Sequence, residues 1–153
     1  MSADNQIEAL KLDLPSAAKP AGLYQPVLIR GNFAYVSGHG PLLKDGTFIT
    51  GKVGGDLDVA AAKAAARQTG LAILASLRAK LGSLDRVKQV VKSFGMVNAV
   101  TDFNEHPAVI NGYSELMAEV FGPEAGVGAR SAMGAGSLPL DFAVEIEAVF
   151  EIK

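Results

Sequence analysis

The sequence predicts an α/β (α+β) domain, a mixed β-sheet with two main helices packed on one face, and three observations carry that prediction. The chain has 153 residues, 49% of them hydrophobic and 20% charged, which is enough apolar material for one buried core. Its hydrophobic patterns alternate between period 2 and period 3.6 in the order ββ, α, β, α, ββ, with room for a further short strand before the first long helix. No internal repeat or second composition regime divides it.

Element by element, Ile7 and Leu10 stand at helical spacing behind the candidate caps Ser2 and Asp4. A Pro-containing stretch from Leu14 to Gly22 follows, so residues 1–21 read as a short docking helix and a linker ahead of a domain over 22–153. The apolar segments from Leu23 to Ser37 flank Gly31-Asn32, which is hairpin chemistry. After a glycine-rich stretch from His39 to Gly55, Asp56 or Asp58 can cap an Ala-rich helix that ends at Gly82. The valine-rich run from Arg86 to Val97 reads as a long strand, with Val87 and Val91 opposite Val90, Phe94 and Met96. A second helix starts near Pro107, lines Ile110, Tyr113, Met117, Val120 and Phe121 on one face, and stops at Gly122-Pro123. Val127 to Gly136 and Phe142 to Ile152 are the last two strands. In the second, Phe142, Val144, Ile146, Ala148, Phe150 and Ile152 share the core face and Glu145, Glu147 and Glu151 the other. Two helices cover only one face of such a sheet, and self-association would cover the second.

The formal net charge of −2 supplies no positive field for nucleic acid or an anionic membrane. The chain has no cysteine, which excludes a thiol nucleophile and a thiolate zinc site. The N-terminus lacks the apolar core of a signal peptide and no run approaches a membrane span, so a cytoplasmic location is expected.

Alternation along Val127 to Gly136 puts Arg130 on a face with Gly128, Ala132, Gly134 and Gly136, a hollow beside a guanidinium. A guanidinium fork matches a carboxylate with two parallel charge-assisted bonds. The alternative is an internal ion pair of Arg130 with Glu145 or Glu147, expected on a neighbouring strand. Those two glutamates lie roughly 7 Å apart between Cα positions; enclosed, their like charges would raise one pKa and make a proton shuttle, and exposed they are a solvated face. His39, between glycines, reads as a loop histidine that a ligand could approach, and His106 as a residue at a helix N-terminus. The two histidines have no zinc-ligand spacing. The segment Gly51 to Asp56 could hold an anion on backbone amides but lacks P-loop order, and Arg86, Lys88 and Lys92 read as a solvated basic stripe.

The segments Gly128-Ala129-Arg130-Ser131-Ala132, Leu138-Pro139 and Val144-Glu145-Ile146-Glu147-Ala148 resemble, in residues and spacing, the RidA/YjgF family of reactive-intermediate imine deaminases, also labelled putative endoribonuclease L-PSP. Tyr24, Tyr35-Val36-Ser37-Gly38 and Asp102-Phe103 extend the match from about Gly22 to the C-terminus. Asn98, Asn111, the Thr50 to Gly55 segment and the N-terminal helix resemble a longer YjgF/chorismate mutase-like subgroup. The resemblance implies a chorismate mutase-like fold, a homotrimer whose sheets pack together, and pockets at subunit interfaces. It implies that Arg130 holds the carboxylate of a small 2-imino acid such as 2-iminopropanoate and that Glu145 activates or positions the attacking water. Tyr24, Ser37, Ser131 and the Ala132 backbone would line the pocket, with Thr101 where the family carries asparagine and Ala132 where it carries cysteine. No cofactor or metal is expected, because an iminium carbon is already electrophilic. A non-catalytic carboxylate-binding or regulatory trimer and an endoribonuclease are the competing readings.

Overall fold

A computed structural model describes residues 1–153 as a five-stranded mixed sheet with helices on one side. The elements are α1 (Ala3–Ala9), β1 (Val27–Arg30), β2 (Phe33–His39), α2 (Val59–Leu81), β3 (Val87–Asn98), α3 (His106–Phe121), β4 (Ala129–Ala135) and β5 (Val144–Ile152). The strand order is β1-β2-β5-β3-β4, with β3 and β4 parallel and the other neighbours antiparallel. No helix is long and apolar enough to cross a membrane.

Local chemistry sets most of these boundaries. Ser2 caps α1 and Asp58 caps α2, each by accepting from the backbone N–H three residues on. Gly82 ends α2 in the left-handed region at φ 84°. Gly31 takes φ 57° as the first residue of the two-residue β1–β2 loop, the conformation that matches strand twist in a tight hairpin.

The core lies between the sheet and α2 and α3, around Ile73, Leu77, Ile110, Leu116, Ile146 and Phe150, all fully buried. β5 keeps its expected alternation, with Val144, Ile146, Ala148, Phe150 and Ile152 inward. α1 adds Ala3 and Ile7 to the same core and is tied to the turn before β3, where Ser83 donates to Asp4 Oδ2 and the Asp4 N–H donates to Asp85 Oδ1. The other sheet face is open and carries the exposed apolar side chains Leu28, Tyr35 and Met133.

Five expectations are corrected. β4 and β5 are not neighbours, because β3 lies between them. Simple alternation in β3 fails, because register shifts between Val87 and Gln89 and between Val90 and Lys92 turn Val87 and Val90 to the same buried side, while Phe94 and Met96 face outward. The Gln89 side-chain amide covers this irregularity by donating to the carbonyls of Val90, Glu124 and Val127. Arg86, Lys88 and Lys92 are solvated as expected but do not line one strand, because Arg86 sits in a 3₁₀ turn before β3, and Lys88 pairs with Glu151. Between His39 and Gly55 only isolated bridges form, so no further short strand appears.

The fifth correction is His39, a buried residue at the end of β2 and not a loop residue. Its Nδ1 lies 2.6 Å from the Ser37 carbonyl and must donate to it, so in the neutral ring Nε2 accepts from the Ser76 hydroxyl at 2.8 Å. Ser76 Oγ in turn accepts from the Ala18 N–H, which ties the linker to α2. Burial pulls the imidazole below its usual 6.5, against a smaller upward pull from Ser37. A base with a lowered folded pKa contributes stability above its unfolded value that is lost as pH falls through the folded one. Stability is therefore expected to decline below pH 6.5, with a shallower decline in His39→Gln. Urea unfolding of both proteins at about pH 7.5 and about pH 5.5 measures it, and equal slopes would contradict it.

Candidate active site

Arg130 lies on the helix-facing side of β4, where its Nη1 donates to Asn111 Oδ1 at 2.8 Å and to Ser114 Oγ at 3.0 Å, both on α3. These residues stand three apart, so one face of α3 presents both acceptors. A small cavity of about 250 Å³ opens there, lined by Ser93, Asn111, Ser114 and Arg130 among others. The broader hollow expected from the small residues is largely filled. A Cβ on Gly128 would lie 2.3 Å from the Val90 carbonyl, and one on Gly134 would lie 2.6 Å from the His106 ring.

The internal ion pair is ruled out. The ion pairs of the protein join Lys44 to Asp13, Lys63 to Glu115, Arg67 to Glu119 and Lys88 to Glu151, and none includes Arg130. Topology explains why. Arg130 is level with Ser93 and Ala148, Glu145 with Met96 and Met133, and β3 separates their strands. Glu145 also projects from the opposite sheet face, because Val144 and Ile146 on either side of it point into the core. Arg130 is thus a half-buried cation on an edge strand, oriented by two neutral acceptors and without an anion. That arrangement leaves the rest of its donor fork for one.

Glu145 belongs to a second group. It shares a cavity of about 770 Å³ with Tyr24, Ser37, Gly38 and His39. Gly38 eases the approach, since a Cβ there would lie 3.0 Å from the Glu145 carboxyl carbon and press on that side chain. Ser37 donates to the Gln25 carbonyl at 2.6 Å, and the Tyr24 hydroxyl accepts from the Ala21 N–H. Tyr24 precedes β1 instead of lying in it. Burial, and secondarily the charge of Glu147, push the Glu145 carboxyl above the usual carboxylate range. It therefore holds a proton closer to neutrality than an exposed glutamate does, which suits proton transfer.

The remaining residues scatter. Ser131 is on the face of β4 opposite Arg130, paired with Phe94. The Ala132 methyl packs against the core, and Thr101 is exposed in the turn after β3. Asn111 and Ser114 as the holders of Arg130, and His39 with Ser76 as a buried pair, escape sequence reasoning. Each is a helix-to-strand contact, and the polar i, i+3 pair on α3 is the only local signal for the first.

Comparison with known proteins places the chain. A family model described as "YjgF/chorismate mutase-like, putative endoribonuclease" matches residues 4–150. "Protein TCP17" of Trypanosoma cruzi is 41% identical over 147 residues, which span 96% of this chain and 92% of that protein. The solved structure of Atu1372 from Agrobacterium tumefaciens, described as of unknown function, has a TM-score of 0.89 at 42% identity and covers 99% of this chain and 92% of its own. A structure from Shewanella oneidensis described as a "putative endoribonuclease" has a TM-score of 0.94 at 31% identity and covers 99% and 100%.

Proposed function

The chain belongs to the YjgF/chorismate mutase-like family, and from that membership we propose that it hydrolyses reactive 2-imino acids to 2-keto acids and ammonia at sites shared between subunits of a homotrimer. The observation that carries this reading is the half-buried, unpaired Arg130 held by Asn111 and Ser114 on an edge strand. Such a cation suits a carboxylate. Glu145, the proton-transfer group, is beyond its reach in the same chain, so a working pair combines Arg130 of one subunit with Glu145 of another. The open sheet face, with Tyr35 and Met133 exposed, is where subunits would pack.

In this reading Arg130 fixes the carboxylate and the iminium carbon faces a water beside Glu145. The water oxygen bonds to that carbon while its proton passes to the Glu145 carboxylate. The proton then goes to nitrogen, the C–N bond breaks, and ammonia leaves with the former C–N electron pair. As it leaves, the remaining hydroxyl proton on the former water oxygen passes to the Glu145 carboxylate, and the carbonyl of the 2-keto acid forms. The raised pKa of Glu145 allows it to return the proton as well as take it.

Endoribonuclease action is less well supported, since the formal net charge of −2 supplies no positive field to draw in RNA. Arg130-dependent carboxylate binding without turnover would instead favour the regulatory reading.

The test is keto-acid release from 2-iminopropanoate generated in situ by an amino-acid oxidase. Wild type is expected to accelerate it. Arg130→Ala and Glu145→Gln, each inactive alone, are expected to regain about a quarter of wild-type activity when co-refolded, the share of interfaces in a random trimer that carry both intact groups. No acceleration by folded wild type would sink the proposal, and mixing without recovery would sink the shared site.

A further inference from the structure

Resting on the deaminase reading, we infer that the cavity beside Glu145 receives the side chain of the substrate, and that this side chain is large and apolar, aromatic or branched aliphatic, not a methyl group. The cavity measures about 770 Å³, within the roughly 300–1,000 Å³ of pockets that enclose whole organic ligands. A methyl group would leave most of it to water. Polar groups on its lining include Lys19, Tyr24, Ser37, His39 and Glu145, and the apolar side chains Leu42, Phe48, Ala72, Leu140 and Phe142 line it as well. A molecule with its reacting carbon at Glu145 therefore finds apolar side chains within the same cavity for its substituent.

The wall is built to stay apolar and in place. The Phe48 and Phe142 rings stack with centroids 4.5 Å apart at a 36° tilt. Gly40 makes room for the second ring, because a Cβ there would lie 2.7 Å from it. At the rim, Leu140 is 73% exposed and has φ 52°, and Asp141 follows at φ 59°. Two successive non-glycine residues in the left-handed region persist only where surrounding bonds dictate them. Here Gly51 N–H donates to the Asp141 carbonyl and the Asn98 amide to Asp141 Oδ1. A leucine kept in water at the rim of an apolar cavity gains a partner when an apolar substituent enters.

The experiment compares 2-imino acids generated in situ from phenylalanine, leucine and alanine, using wild type and Leu140→Ala. The Leu140 side chain is exposed, so its truncation spares the core. Wild-type kcat/KM is expected to be at least about 10-fold higher for the first two imines than for the third. Leu140→Ala is expected to lower the first two by about 10-fold and leave the third unchanged. Equal or better turnover of the alanine-derived imine, or an equal loss on all three, overturns the side-chain assignment while deamination stands. Failure to accelerate any of the three overturns both.

Discussion

Arg130→Ala is expected to lower kcat/KM for a 2-imino acid by about 10²–10⁴-fold while shifting stability by about 1 kcal/mol or less. The two effects separate because the native partners of Arg130 are two neutral acceptors near the surface, Asn111 and Ser114, and not a carboxylate. Removing the side chain strands no buried charge. A bound carboxylate, by contrast, loses two charge-assisted bonds of about 1.5–3 kcal/mol each, and each 1.36 kcal/mol is tenfold in rate. Arg130→Lys keeps the charge but not the fork and is expected to recover only part of the loss. Steady-state kinetics with urea unfolding of all three proteins checks this. Activity within about threefold of wild type in Arg130→Ala would remove the guanidinium from the mechanism.

The largest effect on folding is expected at Gly112, where α3 crosses α2. A Cβ there would lie 2.0 Å from the Lys63 carbonyl oxygen and 3.0 Å from its carbon. Backbone cannot swing aside as a side-chain tip can, so the helices would have to part and loosen the packing of Ala66, Leu116 and their neighbours. Gly112→Ala is expected to cost roughly 3 kcal/mol or more, a large share of the 5–15 kcal/mol that holds a typical domain together. Gly136, with open space around its missing Cβ and an ordinary φ, is the control, and Gly136→Ala is expected to stay within about 0.5 kcal/mol. Urea midpoints and m-values report both. A Gly112→Ala protein as stable as the control would mean that the helix crossing is looser than its geometry indicates.

What was legible in the sequence was what short-range chemistry determines. The Gly31-Asn32 turn, the Asp58 and Gly82 ends of α2 and the alternation in β5 each depend on residues close in sequence. The exclusion of β4 from contact with β5 was not legible, because parallel pairing with β3 is made through α3, over more than thirty residues from Lys92 to Ala129. The shifts in β3 were hidden for a related reason: Val87 and Val90 carry no sign that they share a face until β5 pairs with them. For the site, the motifs drew attention to Arg130 and Glu145, but their placement on opposite faces follows from register and strand order. His39 looked free between two glycines because its partner, Ser76, comes from a helix 37 residues away.

The position of β5 between β2 and β3 bears on how the chain reaches this structure. During synthesis every other strand emerges first, so the hairpin β1–β2 and the pair β3–β4 exist as separate halves, each with an open edge. Strand edges of that kind recruit other chains, and assembly that awaits a late, sequence-distant strand is slow. β5 is thus the closing strip that joins two fragments with open edges into one sheet.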